Sequence, residues 1–68
     1  MFLSVGEVGR KIGANPKDIT DAFYRGLLRD DIAPIMAGRR MIPESYLPMV
    51  EMVLRRLGKL HRQEVSDA

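Results

Sequence analysis

Cysteine is absent from this chain and histidine occurs only once, at position 61. Without cysteine there is no disulfide and no thiolate metal site. A single histidine builds no zinc site where the carboxylates form no cluster. The 68 residues therefore allow one small domain that must stand on apolar packing, alone or with a partner. Also missing is any apolar run long enough to span a bilayer, and Met1 to Val5 leads directly into polar and glycine residues rather than into a signal peptide. The expected location is cytoplasmic, with no membrane partner. A strong charge of one sign is lacking too: 11 basic and 9 acidic residues give +2, which permits a polyanionic partner without requiring one. Enzyme chemistry lacks its parts, because no nucleophile, base and orienting group come together, no phosphate-binding loop is present and no metal set exists. No catalytic residue, metal or cofactor is expected, so function must lie in how the charges are placed.

Ser4 followed by Glu7 is a capping-box pattern, with Leu3 and Val8 spaced as a hydrophobic staple across it. Val5, Val8 and Ile12 then share one stripe until Gly13, which predicts a first helix over residues 5–12. Asn15 before Pro16 restarts a helix, since asparagine caps free N–H groups and proline suits the first helical position. At 100° per residue Ile19, Ala22 and Phe23 face inward. Lys17, Thr20, Asp21 and Tyr24 face outward, with Asp18 and Arg25 on the margin and Gly26 as the stop.

After Gly26, Leu27 and Leu28 are expected to begin an extended segment, with Arg29, Asp30 and Asp31 as a polar connection. Residues 32–36 and 40–42 are expected to pair as a hairpin through a turn at Ala37, Gly38 and Arg39, with Pro34 on an edge or at a strand start. Pro48 forbids a regular helical N–H bond at its own position. Either residues 43–47 form a separate turn, or Pro48 sits in the first turn of the third helix. That helix is expected over 48–61, with an earlier end at Gly58 as the alternative, and Val50, Val53, Leu54 and Leu57 inward. Residues 1–61 make the domain, and 62–68 are expected to be disordered.

Two short helices around a tight turn, a hairpin with a basic tip and a covering helix form a mainly α winged helix-turn-helix layout: three helices plus a small β-hairpin wing. The stretch LSVGEVGRKIGANPKDITDAFYRGLL resembles the helix-turn-helix half of the MerR-like and excisionase-like DNA-binding superfamily. Glu7, Val8 and Gly9 stand at its Glu-Val-Ala start, Gly13 at its turn, and Arg25, Gly26 and Leu27 at its Arg-Gly-Leu exit. IMAGRRMIPESYLPMV is similar to the wing and following helix, through Gly38, Arg39, Arg40, Ile42, Pro43 and Leu47. The resemblance covers residues 3–54. It implies binding to double-stranded DNA, as a transcriptional regulator or as an excisionase-like factor in DNA recombination. MerR activators also carry a long dimerising helix and an effector domain that have no counterpart here, so no small-molecule effector is expected. Self-association or cooperative binding on DNA is compatible with one small domain. Where the superfamily has alanine this chain has Gly9, which allows close helix contact and weakens a helix by about 0.5–1 kcal/mol.

The resemblance places the second helix in the major groove, with Asn15, Lys17, Thr20, Asp21, Tyr24 and Arg25 as candidate contacts. Lys17, near the helix N-terminus, is the strongest of these, because charge and helix dipole both favour a phosphate. Asp18 and Asp21 work against it, since carboxylates repel phosphates unless they accept from a cytosine amino group. Binding is therefore expected to lean on the wing and the helix ends. Strand alternation sends Arg39 and Arg40 to opposite faces. Arg39 suits the tip and the minor-groove edge, and Arg40 suits either bracing the wing or reaching the DNA backbone. Arg10 and Lys11 suit a helix C-terminus or a phosphate. Asp30 and Asp31 read as a polar loop, and His61 carries no role. Met49, Met52 and Arg56 lie on a second face of the third helix, and they support a different reading in which the domain is a protein-protein adaptor.

Overall fold

The computed structural model describes residues 1–60. His61 and the tail at 62–68 lie outside the described residues. The chain opens with a short strand, β1 (Phe2–Ser4), that leads straight into α1 (Val5–Ile12). Both halves of the capping box form, with the Glu7 N–H donating to Ser4 Oγ at 3.2 Å and the Ser4 N–H donating to Glu7 Oε1 at 2.8 Å. Those bonds favour the ionised glutamate, and the backbone bond from Ser4 is the main reason its carboxyl titrates below the ordinary carboxylate range. Gly13 ends α1 at φ 75°, in the left-handed region, and the Ala14 N–H donates back to the Gly9 carbonyl at 2.9 Å.

Asn15 and Pro16 then start α2 (Pro16–Tyr24), with Asn15 Oδ1 accepting from the Lys17 N–H at 2.9 Å. Ile19, Ala22 and Phe23 are buried, as their spacing predicts. Leu27 and Leu28 do not form the expected strand. The helix closes with the Leu27 N–H donating to the Ala22 carbonyl, and this bond turns the chain so that Leu28 drops into the core. Residues 25–34 form an irregular connection, held by the Arg29 N–H donating to the Tyr46 hydroxyl at 3.0 Å.

The hairpin is shorter on one side and longer on the other than its apolar pattern suggests. It consists of β2 (Ile35–Met36) and β3 (Arg39–Pro43), in register Ile35 to Arg40 and Met36 to Arg39. Pro34 precedes the edge strand and uses only its carbonyl, which accepts from the Met41 N–H at 2.9 Å. The turn is Ala37–Gly38 alone, and Arg39 belongs to the returning strand. Both turn residues have positive φ, 53° and 78°, the two-residue turn that matches the twist of a hairpin. Alanine is unfavourable there, by about 1–2 kcal/mol relative to an ordinary conformation. Ala37→Asn, a residue suited to this turn, is therefore expected to raise the melting temperature by about 4–8 °C for each kcal/mol relieved. Thermal unfolding followed by circular dichroism checks this, and a lower melting temperature would show that the turn geometry is not limiting.

A three-stranded antiparallel sheet results, in the order β1-β3-β2, because β1 pairs with the other side of β3. Leu3 lies opposite Ile42, and both are buried against the helices. Both alternatives for the segment around Pro48 occur together. Glu44–Tyr46 make a separate 3-10 turn, and Pro48 sits in the first turn of α3 (Leu47–Arg56). The third helix thus ends at Arg56, at the earlier stop, with Gly58 at φ 71° and the Lys59 N–H donating to the Leu54 carbonyl. Val50 and Leu54 are fully buried, while Leu57, expected inward, is 36% exposed because the helix has already ended. No helix among the described residues is long and apolar enough to cross a membrane.

Candidate nucleic-acid interface

The outward face of α2 is assembled by the same spacing that buries its other side. Lys17, Thr20, Asp21 and Tyr24 line one shallow depression. Tyr24 is 89% exposed, so it has no share in the core. Asn15 is exposed at the start of this face, with its side-chain oxygen committed to the cap. The two carboxylates that oppose a phosphate partner are both matched within the fold. Asp21 Oδ2 lies 3.4 Å from Arg25 Nε one turn on, and Asp18, whose side chain is only partly exposed, lies 4.0 Å from Lys59 Nζ beyond α3. Exposed pairs of this kind add little stability, but they cancel local charge.

On the hairpin the two arginines separate as the alternation requires. Arg39 is exposed beside the turn, at the rim of a depression lined also by Ser4, Val5 and Gly6 at the start of α1 and by part of Arg40. The Arg40 guanidinium is directed inward, and its side chain is only 17% exposed. Its Nη1 donates to the Ala33 carbonyl at 2.8 Å and lies 3.1 Å from Asp30 Oδ1, while its guanidinium carbon sits 4.3 Å from the centre of the Phe23 ring. Of the two roles open to Arg40, the geometry takes the brace. Reaching outward to a DNA backbone would mean abandoning three contacts. Asp30, read as a plain polar loop residue, is therefore a structural partner, and nothing in its local sequence signals a residue ten positions away. Its neighbour Asp31 takes a fork from Arg29, with Nε to Oδ1 at 3.1 Å and Nη2 to Oδ2 at 2.7 Å. That hydrogen-bonded pair lowers the Asp31 pKa and raises that of Arg29.

With these pairs and Glu51 to Arg55 at 3.0 Å in place, Arg10, Lys11, Lys17, Arg39 and Arg56 make no ion pair with any described residue. Three of the five, Arg10, Lys11 and Lys17, lie on α1 and α2, and Arg39 is at the hairpin tip. On α3, Met49 and Met52 are 42% and 41% exposed and Arg56 is exposed, so this second face is half-covered by the fold itself. A scan against protein-family models finds no match, and searches of curated proteins and of solved structures find none either.

Proposed function

We propose that this chain binds double-stranded DNA as a winged helix-turn-helix domain. In this reading α1, the Gly13 turn and α2 are the helix-turn-helix, with α2 entering the major groove. The β2–β3 hairpin is the wing, and Arg39 reaches the flanking phosphates or the minor-groove edge. The observation that supports it most is the distribution of charge. The fold pairs Asp18 and Asp21 with cations of its own and leaves Lys17 and Arg39 unpaired among the described residues. The resemblance to MerR-like and excisionase-like proteins suggests a transcriptional regulator or a recombination factor. An operator in its own promoter would mark the first, and a neighbouring integrase gene the second.

The test is a fluorescence titration of a random-sequence duplex at several salt concentrations, with Arg39→Ala beside the wild type. Wild-type affinity is expected to fall as salt rises. The variant is expected to bind more weakly to every sequence, with a slope of log K against log salt reduced by about 0.9 for one lost phosphate contact. An unchanged slope removes the wing from the interface. Absence of binding even at low salt favours the second reading, a protein-protein adaptor, for which the exposed Met49 and Met52 beside Arg56 are the supporting surface.

A further inference from the structure

We infer that Tyr24 reads the 5-methyl groups of pyrimidines in the major groove, so that methyl-bearing duplexes are preferred over otherwise identical ones without the methyl. The inference rests on the DNA-binding reading above and adds to it the chemistry by which α2 distinguishes sequences. Tyr24 has no structural duty to explain it. The inward stripe of α2 is complete with Ile19, Ala22 and Phe23, and the ring stands 89% exposed one position beyond the last of them. No described residue hydrogen-bonds its hydroxyl.

The surroundings of the ring set what it can recognise. It closes a depression whose other walls are the Lys17 stem, Thr20 and Asp21, a lining made mostly of carbon. The groups flanking α2 that are best suited to bidentate reading of purines already have partners within the fold. Arg25 is held by Asp21 at 3.4 Å, and the Asn15 side-chain oxygen caps the helix. The apolar part of the outward face, between Lys17 and Asp21, is the Tyr24 ring and the Thr20 methyl group. The apolar feature that the major groove offers to such a surface is the C5 methyl of thymine, or of 5-methylcytosine at the equivalent position. Lys17 on the same face supplies attraction to the backbone, so the ring need contribute only discrimination.

Four duplexes test the inference: alternating A·T against alternating A·U, and alternating G·C against the same duplex with 5-methylcytosine. Wild type is expected to bind the methylated member of each pair about four-fold tighter for one buried methyl group. Tyr24→Phe, which keeps the ring, is expected to keep the preference. Tyr24→Ala is expected to abolish it while leaving the salt slope unchanged, and a residue this exposed can be replaced without disturbing the core. Equal binding of both members by the wild type, or a preference that survives in Tyr24→Ala, overturns the inference and leaves DNA binding standing. Failure to bind any of the four duplexes at low salt overturns both together.

Discussion

Arg40→Ala is expected to destabilise the fold by about 2–3 kcal/mol, a loss of roughly 10 °C or more in melting temperature for a domain of this size. Three separate losses add up to this. The Ala33 carbonyl, on a fully buried residue, gives up a charge-assisted hydrogen bond of 2.8 Å. The Phe23 ring loses a cation at 4.3 Å from its centre, worth about 0.5–2 kcal/mol depending on how dry the contact is. The aliphatic stem of Arg40 also leaves its place between the hairpin and α2. The ion pair itself contributes least, because Asp30 is 71% exposed and solvent screens it. A double-mutant cycle with Asp30→Ala is accordingly expected to give a coupling below about 1 kcal/mol. Urea denaturation followed by circular dichroism measures these quantities, and a loss under about 0.5 kcal/mol for Arg40→Ala would show that the brace does not matter.

The same residue separates bracing from direct contact in the proposed DNA binding. A phosphate contact by Arg40 would reduce the salt slope on mutation by about 0.9, as for Arg39. A brace changes affinity through the placement of the proposed wing and leaves the slope near the wild-type value. Arg40→Met, which keeps the stem over Phe23, is the suitable variant, since it holds most of the packing while removing the charge.

How much of this could be read from the residues follows the range of the interactions. The first helix is legible to the residue because its start is a reciprocal bond between Ser4 and Glu7, three positions apart, and its end is a glycine. Asn15 and Pro16 announce α2 for the same local reason. By contrast β1 has no local signal in the sequence. Three residues, Phe2 to Ser4, are too few to show alternation, and they become a strand only because β3, some forty positions later, offers its second edge. Leu27 and Leu28 depart from the expected strand because two adjacent leucines carry no period, and the backbone bond from Leu27 to Ala22 decides their path. In the candidate interface, the outward face of α2 and the divergence of Arg39 from Arg40 follow from helical and strand geometry. The contacts that hold Arg40, from Phe23, Ala33 and Asp30, are tertiary and left no local trace.

Gly9 shows how one close approach can reverse an argument from propensity. Alanine in the middle of a helix is favoured over glycine by about 0.5–1 kcal/mol, and the resembling superfamily has alanine at this position. Here a Cβ on Gly9 would stand 2.7 Å from the Ala14 carbonyl oxygen and 3.3 Å from Pro16 Cγ. The first of these is backbone, in the turn that the Ala14 to Gly9 hydrogen bond itself closes, so it cannot swing aside as a flexible side chain would. Gly9→Ala must therefore push α2 away from α1, and a net loss of about 1–3 kcal/mol is expected despite the gain in propensity. Gly6, one turn earlier in the same helix, is the internal control, because its nearest neighbour would be Ser4 Oγ at 4.0 Å. Gly6→Ala is expected to be neutral or to stabilise by about 0.5 kcal/mol. Chemical denaturation of the two variants side by side decides the matter. If Gly9→Ala is as stable as the wild type, the turn has slack and the spacing of α1 and α2 is set elsewhere. If it unfolds earlier while Gly6→Ala does not, the close contact at Gly9 fixes the angle at which α2 presents Lys17, Thr20 and Tyr24, and the proposed DNA binding is expected to fall with it.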